Sequence, residues 1–361
     1  MASSQAGRYG IVGTGWRAEF FRHAALRNPG RFTVSGAVTR SANRAGDIER
    51  EWGVPAFRSV ADLVTAQRPE FLVVSVPRTA APSVIQAAVD AGVPVLVETP
   101  PAPDLVGLRA LWAAVGRSGL VQVAEQYPLL PDHAARSAVV RSGAIGRVSS
   151  VHVCSTHLYH AVALMRGLLG VDCADATVTA QAFTAPLADP VSRAGWSGDS
   201  TPKPTRTTLA TIDFGSATGI YEFTDNQWHN PLRSERIVIR GSLGEIVDDR
   251  VIRLGDQTTV LESRMVRRQT GVGLNLEGFD LDHITYDGAM AYRNPFPGSR
   301  SSDEEIAVAS IVARMTDWCR GEAPPPYPLA AASQDHLIGL AIEESLATGA
   351  PVTTTAQPWA C

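Results

Sequence analysis

Short, predominantly apolar runs alternate with amphipathic stretches over the first 125 residues. The runs are YGIV at 9–12, FTVSGAV at 32–38, FLVVSV at 71–76, VPVLV at 93–97 and LVQVA at 120–124. None of them alternates apolar with polar positions, so each predicts a strand buried on both faces, as in a parallel sheet covered by helices. The intervening stretches carry helical spacing. PSVIQAAVDAG, for example, ends at Gly92, where a helix C-cap is expected. Strands that alternate with helices predict a doubly wound α/β domain with right-handed crossovers.

The pattern changes after Tyr127. HAARSAVVRSG predicts a helix, 148–155 a strand, and 160–169 a second helix. TVTAQAF, TRTTLATIDF, TGIYEF, SERIVIRG and GEIVDD then read as strands punctuated by Gly and Asx, as in hairpins of a large, mostly antiparallel sheet with few covering helices. Helical patterns at 303–320 and 333–348 close the chain. The stretches 186–205 and 263–302 fit no element and read as long loops of the kind that carry function. The expected division is therefore an α/β dinucleotide-binding domain over 1–127 and an α+β domain over 128–361 for substrate binding and oligomer contact.

Length agrees, since 361 residues exceed one comfortable core. A formal charge of -4 with no long run of one sign gives no basic footprint for nucleic acid or for a membrane surface. The cysteines, Cys154, Cys173, Cys319 and Cys361, form no CxxC pair, so neither a disulfide framework nor a metal site is expected. No signal-peptide pattern opens the chain, and no apolar run approaches the roughly 18 residues of a membrane span. A cytoplasmic protein acting on a small molecule is expected.

The first strand runs into Gly13-Thr14-Gly15-Trp16-Arg17-Ala18, a G-x-G-x-x-A pattern between strand and helix. Gly13 allows the tight turn, Gly15 lets backbone approach a pyrophosphate, and Ala18 permits close helix packing on the sheet. Trp16 is expected near cofactor or substrate and Arg17 near phosphate. The second strand ends Thr39-Arg40-Ser41, without the carboxylate that usually holds the ribose hydroxyls of NAD. Two hydroxyls and a guanidinium suit a 2′-phosphate, so NADP(H) is preferred and NAD(H) remains possible.

GIVGTGWRAEFF, SVPRTAAPSVIQAAVDAGVPVLVETPPA, RSGAIGRVSSV and HAVALMRGLLG occur in the order and spacing of the Gfo/Idh/MocA oxidoreductases, and the chain resembles that family over nearly its whole length. The resemblance implies a Rossmann domain, a second domain on a large open sheet whose face makes a homodimer or homotetramer, and hydride exchange between a nicotinamide and a sugar, cyclitol, polyol or ketone. It also exposes departures. The family's Glu-Lys-Pro reads Glu98-Thr99-Pro100, and a threonine hydroxyl cannot manage a proton alone near neutrality. His160 falls on a catalytic histidine, but Thr156 stands where an aspartate precedes it, and Ala161 and Ala163 stand where a carboxylate often follows. The family's Thr-Pro-Asn-x-x-His reads Val76-Pro77-Arg78-Thr79-Ala80-Ala81.

The site is expected at the C-terminal ends of the Rossmann strands. Candidate cofactor contacts are Gly13, Thr14, Gly15, Trp16, Arg17, Thr39, Arg40, Ser41, Ser75, Pro77, Arg78, Glu98, Thr99 and Glu125. Burial could raise a carboxyl such as Glu98 or Glu125 enough to make it a base. Candidate acid/base groups are His160, His157 and Tyr159 in STHLYHAVALM, with Tyr127 and Thr156 as substrate contacts. Arg193, Trp196, Trp228, Tyr292 and Arg293 border long irregular segments and are further pocket candidates. The leading expectation is an NADP(H)-dependent oxidoreductase acting on a carbonyl, imine or hydroxyl, with His160 in place of the lysine. Two others stand beside it: a redox-neutral lyase or glycosidase with a retained cofactor, and a non-catalytic NADP-binding protein.

Overall fold

The computed structural model describes residues 5–271, 273 and 279–360. Cys361 lies outside them. The chain forms two compact units that interleave along the sequence. The first comprises Met1–His133, Arg267–His283 and Arg293–Ser333, and the second Ala134–Val266, Ile284–Tyr292 and Gln334–Cys361. Two later segments, Arg267–His283 and Arg293–Ser333, thus belong to the first unit.

The first unit runs β1 (Gly7–Val12), α1 (Trp16–Arg27), β2 (Phe32–Val38), α2 (Ala42–Trp52), β3 (Ala56–Phe57), α3 (Val60–Gln67), β4 (Phe71–Val74), α4 (Ala81–Asp90), β5 (Val95–Val97), α5 (Leu105–Val115) and β6 (Val121–Val123). Its sheet has the order β3-β2-β1-β4-β5-β6, with every pair parallel. The order reverses between β1 and β4, the switch point where open α/β sheets bind ligands. Only β3 escapes the sequence reading, since two residues are too few to show a pattern. The apolar run at β4 is buried throughout: Phe71, Leu72, Val73 and Val74 are all inaccessible. Tyr9 is buried with them, donating its hydroxyl to the Phe21 carbonyl at 2.6 Å and stacking on Phe71 at 5.3 Å.

The second unit begins with α6 (Pro131–Arg141), β7 (Val148–Cys154), α7 (Leu158–Leu169), β8 (Thr177–Leu187), β9 (Val191–Ser192), β10 (Gly195–Trp196), β11 (Lys203–Asp213) and β12 (Thr218–Thr224). It continues through β13 (Arg236–Gly241), β14 (Gly244–Val247), β15 (Arg250–Leu254), β16 (Val260–Gln269), β17 (Leu281–Tyr286) and β18 (Ala289–Arg293). Then follow α8 (Asp303–Cys319), which belongs to the first unit, and α9 (Leu329–Thr348) and β19 (Val352–Thr353). Eleven strands form one sheet in the order β18-β17-β16-β15-β14-β13-β7-β12-β11-β8-β19. β7 pairs parallel with β12, whereas β11 with β12 and β8, and β13 with β7 and β14, pair antiparallel. The two stretches without a sequence assignment contain the small β9–β10 hairpin and strands β16 to β18. Their Gly, Pro and Arg content masks the period of two on which strand reading depends.

α7 starts at Leu158, two residues before the expected His160, and ends at Gly170 in the left-handed region. It lies on β12 so closely that a Cβ on Gly219 would meet Met165 Sδ at 2.7 Å. α8 opens with a capping box between Ser302 and Glu305. It packs against α1 and β1, within the first unit.

Candidate functional site

Gly13 has φ of 102°, a left-handed conformation, and a Cβ there would lie 2.0 Å from the Ser75 carbonyl oxygen. No other residue fits without moving β4. Gly15 differs: its backbone is extended, and a Cβ would meet no atom within 4 Å. Glycine there keeps space open above the helix start. No side chain caps α1 at Gly15, and Ala18 is fully buried against the sheet. An uncapped helix N-terminus beside open space, at the switch point of the sheet, fits a dinucleotide pyrophosphate. Thr14 is half-buried in this loop, and Trp16 is 49% exposed, edge-on to Phe20. Ser75 binds the Val12 carbonyl through its N–H at 2.8 Å, while Pro77 and Arg78 are exposed beyond it.

At the end of β2, Thr39 is buried and its Oγ1 accepts the Ser41 N–H at 3.3 Å. Ser41 caps α2 by accepting the Arg44 N–H at 3.2 Å. Both hydroxyls keep their protons free to donate. Arg40 is exposed, and its carbonyl accepts from the Arg58 guanidinium.

The ends of β5 and β6 carry the acidic side chains. Arg17 reaches Glu98 with Nε at 3.2 Å and Nη2 at 3.1 Å, and Glu304 of α8 with Nη1 at 2.7 Å. Glu304 also accepts from Gln126 Nε2 at 2.9 Å. The guanidinium assigned from sequence to a phosphate is therefore held between two carboxylates. Glu125, 2% exposed, accepts the Tyr127 N–H at 3.1 Å. Burial pushes its carboxyl up to about 8; the Tyr127 N–H opposes this, nearby Glu304 adds to it, and Arg17 opposes it. Thr99 is half-buried and joined to Pro100 by a cis peptide bond.

The second unit gathers the histidines. His160 is buried in the first turn of α7, its ring 5.1 Å from that of His157 and 4.5 Å from that of Tyr159. His157 is the N-cap residue, so the two histidines meet through the bend at the helix start rather than along a helical face. Leu158, between them, has φ of 38°, a strained conformation for a side chain of its size, and its N–H binds the Tyr221 hydroxyl at 3.2 Å. Burial pushes the His157 imidazole down to about 3, and His160 lowers it further. Thr156 is inaccessible, and its Oγ1 accepts from Trp228 Nε1 at 3.5 Å.

Beside His157 opens a cleft of about 720 Å3. Arg206 and Thr208 of β11, Tyr221 and Phe223 of β12, Asp225 and Trp228 of the following turn, and Glu343 of α9 line it. Of these, sequence reading named only Trp228. The others sit on ordinary strand and helix positions, where no motif distinguishes them. Trp196 is 76% exposed on β10. Among the described residues no cluster of three or more His, Cys, Asp or Glu could hold a metal ion, and no helix is long and apolar enough to cross a membrane.

Residues 7–126 match the Gfo/Idh/MocA oxidoreductase family, NAD-binding Rossmann fold. This segment is similar to the Rossmann domain of that family. Solved structures extend the likeness across both units. Apo levoglucosan dehydrogenase is 20% identical with a TM-score of 0.70, covering 98% of this chain and 100% of that one. An oxidoreductase from Agrobacterium radiobacter, in complex with NAD+, L-tartaric acid and magnesium, is 18% identical with a TM-score of 0.66, covering 97% and 98%. The WlbA dehydrogenase from Bordetella pertussis, in complex with NADH and UDP-GlcNAcA, is 16% identical with a TM-score of 0.64, covering 99% and 100%. No curated protein matches. At these identities the shared property is the fold. Glu98 is ion-paired at the end of β5, and the residue after it, Thr99, carries a hydroxyl.

Proposed function

We propose that this chain is an NADP(H)-dependent oxidoreductase. It moves a hydride to or from a carbonyl, imine or hydroxyl carbon of a sugar-like or secondary-metabolite substrate, with His160 managing the proton. The observation that carries this reading is the cluster at the start of α7. Two imidazoles and a phenol meet there, and one imidazole is fixed as neutral. His157, pushed down to about 3, is neutral near pH 7 and carries no acidic proton to give. We assign proton transfer to His160, whose side-chain type suits it. His157 and Tyr159, with rings 5.0 Å apart, orient the reacting oxygen by hydrogen bonds. In reduction the oxygen takes a proton from His160 as the carbon gains hydride; in oxidation His160 takes that proton back.

The Gly13–Gly15 loop and the uncapped start of α1 would hold the cofactor pyrophosphate. When bound, the nicotinamide supplies or accepts the hydride. Thr39, Arg40 and Ser41 support a 2′-phosphate, since a carboxylate is absent from the end of β2 and two hydroxyl protons are free to donate. Thr99 would orient substrate or ribose. Exposed apolar side chains on the large sheet, among them Phe183, Val260 and Val266, support a homodimer or homotetramer through that sheet.

The test combines NADPH and NADH titration of the purified protein with turnover on ketones, imines and sugars, for wild type and His160→Ala. Tighter NADPH binding, and turnover that falls at least 100-fold in the variant while cofactor affinity holds, is the expected result. Turnover unchanged in His160→Ala would remove His160 from the chemistry. Cofactor bound without turnover in either protein would reject the oxidoreductase reading.

A further inference from the structure

The cleft beside His157 lies wholly within the second unit, and its volume of about 720 Å3 falls in the range of roughly 300–1,000 Å3 typical of small-molecule pockets. Its wall is aromatic. Trp228, 40% exposed, stands edge-on to His157 at 4.8 Å and packs on Phe223 at 4.6 Å. Tyr221 completes the wall, its hydroxyl bound by the N–H of the strained Leu158. The charges lining the cleft are unbalanced. Asp225 and Glu343 both line it. Neither has an ion-pair partner among the described residues. Arg206 is the single guanidinium against these two carboxylates, which leaves a net negative lining.

One polar atom in the wall is also unmet. His157 Nδ1 is buried without a hydrogen-bond partner, an unfavourable state for a buried polar atom. In a neutral ring with its proton on Nε2, that atom is an acceptor. A ligand here should thus offer a positive charge to the carboxylates, a face-on contact to the rings and an N–H or O–H to His157. A carboxylate or phosphate would be repelled. A neutral ring would leave Asp225 and Glu343 uncompensated.

We propose that this cleft binds a protonated amine borne by the substrate, seated between Asp225 and Glu343 against the Trp228, Phe223 and Tyr221 rings. A cation gains there from both the aromatic faces and the carboxylates. The link to turnover rests on the oxidoreductase reading; the binding itself does not.

The test uses ring amines paired with their N-acetylated, uncharged forms: glucosamine with N-acetylglucosamine, and cyclohexylamine and benzylamine with their acetamides. Binding is read by calorimetry and by tryptophan emission, without cofactor. At least one amine should bind tenfold or more tightly than its acetamide. That preference should vanish in Asp225→Asn/Glu343→Gln, while Trp228→Phe weakens the amine and leaves the acetamide unchanged. Equal affinity within every pair, or a preference that survives the double variant, would overturn the proposal. Melting temperature checks that the variants fold. An amine preference in a wild type that turns nothing over would leave the cleft standing and remove the hydride chemistry. Turnover without any amine preference would do the reverse.

Discussion

Arg17 and Glu98 meet through two guanidinium nitrogens, at 3.2 and 3.1 Å, joining the first turn of α1 to the end of β5. Arg17 also takes Glu304, 287 residues away in sequence. One guanidinium thus serves two carboxylates, and Glu125, the third carboxyl of the group, keeps its proton by burial.

That arrangement sets a pH dependence. The folded-state value of Glu125, about 8, lies above its ordinary value of 4.5. The folded protein therefore binds more protons than the unfolded chain between these limits. The stabilising contribution is complete below about pH 4.5 and declines as pH rises toward 8, by at most about 1.4 kcal/mol per pH unit. Glu125→Gln, which cannot ionise, should gain stability relative to wild type on going from pH 5 to pH 8.5. Urea denaturation at both pH values checks this, and parallel profiles would contradict a neutral Glu125.

Gly13→Ala and Gly15→Ala should separate folding from binding. The first places a Cβ 2.0 Å from the Ser75 oxygen at a positive φ and should cost about 2–4 kcal/mol, seen as a clear drop in melting temperature. The second meets no protein atom and should leave the melting temperature within a few degrees. Its nicotinamide-dinucleotide affinity should nevertheless fall about tenfold or more, because the methyl group fills the space left for the pyrophosphate. Unchanged affinity in Gly15→Ala would place the phosphates elsewhere.

His157 should not titrate between pH 5 and 8. Its folded value near 3 lies below the ordinary 6.5, so its contribution to stability is present above about 6.5 and is lost as pH falls toward 3. The imidazole proton resonances of His157, assigned by comparison with His157→Gln, should stay at the neutral position throughout that range. A midpoint near 6.5 would show that the ring is solvated.

Asp335→Asn should be strongly destabilising. Arg166 and Asp335 form a buried ion pair, and Arg166 also donates to the Asp172 carbonyl at 3.0 and 2.8 Å. Removing one charge strands the other, at about 3–5 kcal/mol. Denaturant midpoints measure the loss, and a change below about 1 kcal/mol would mean that water reaches Arg166.

Much of the first unit was legible because its signals are local. A strand buried on both faces needs an apolar run. A tight turn onto a helix needs Gly13, and Gly15 leaves open space at the helix start; both are set within a few residues. The helix of the histidine cluster was legible too, though its start was placed two residues late, because Leu158 adopts a backbone conformation that helix patterns do not anticipate. The second sheet was read in type but not in extent: β16 to β18 hide among Gly, Pro and Arg.

The sequence by itself determined the succession of buried strands and helices, the glycine-rich turn after β1, the absence of a carboxylate after β2 and a threonine, Thr99, between Glu98 and Pro100. Only the tertiary structure decided that Arg17 lies between Glu98 and Glu304, that burial pushes the Glu125 carboxyl up and the His157 imidazole down, and that residues from β11, β12 and α9 close one cleft. Turns and strand patterns depend on neighbouring residues, whereas desolvation and charge pairing sum over groups that the chain brings together only when folded.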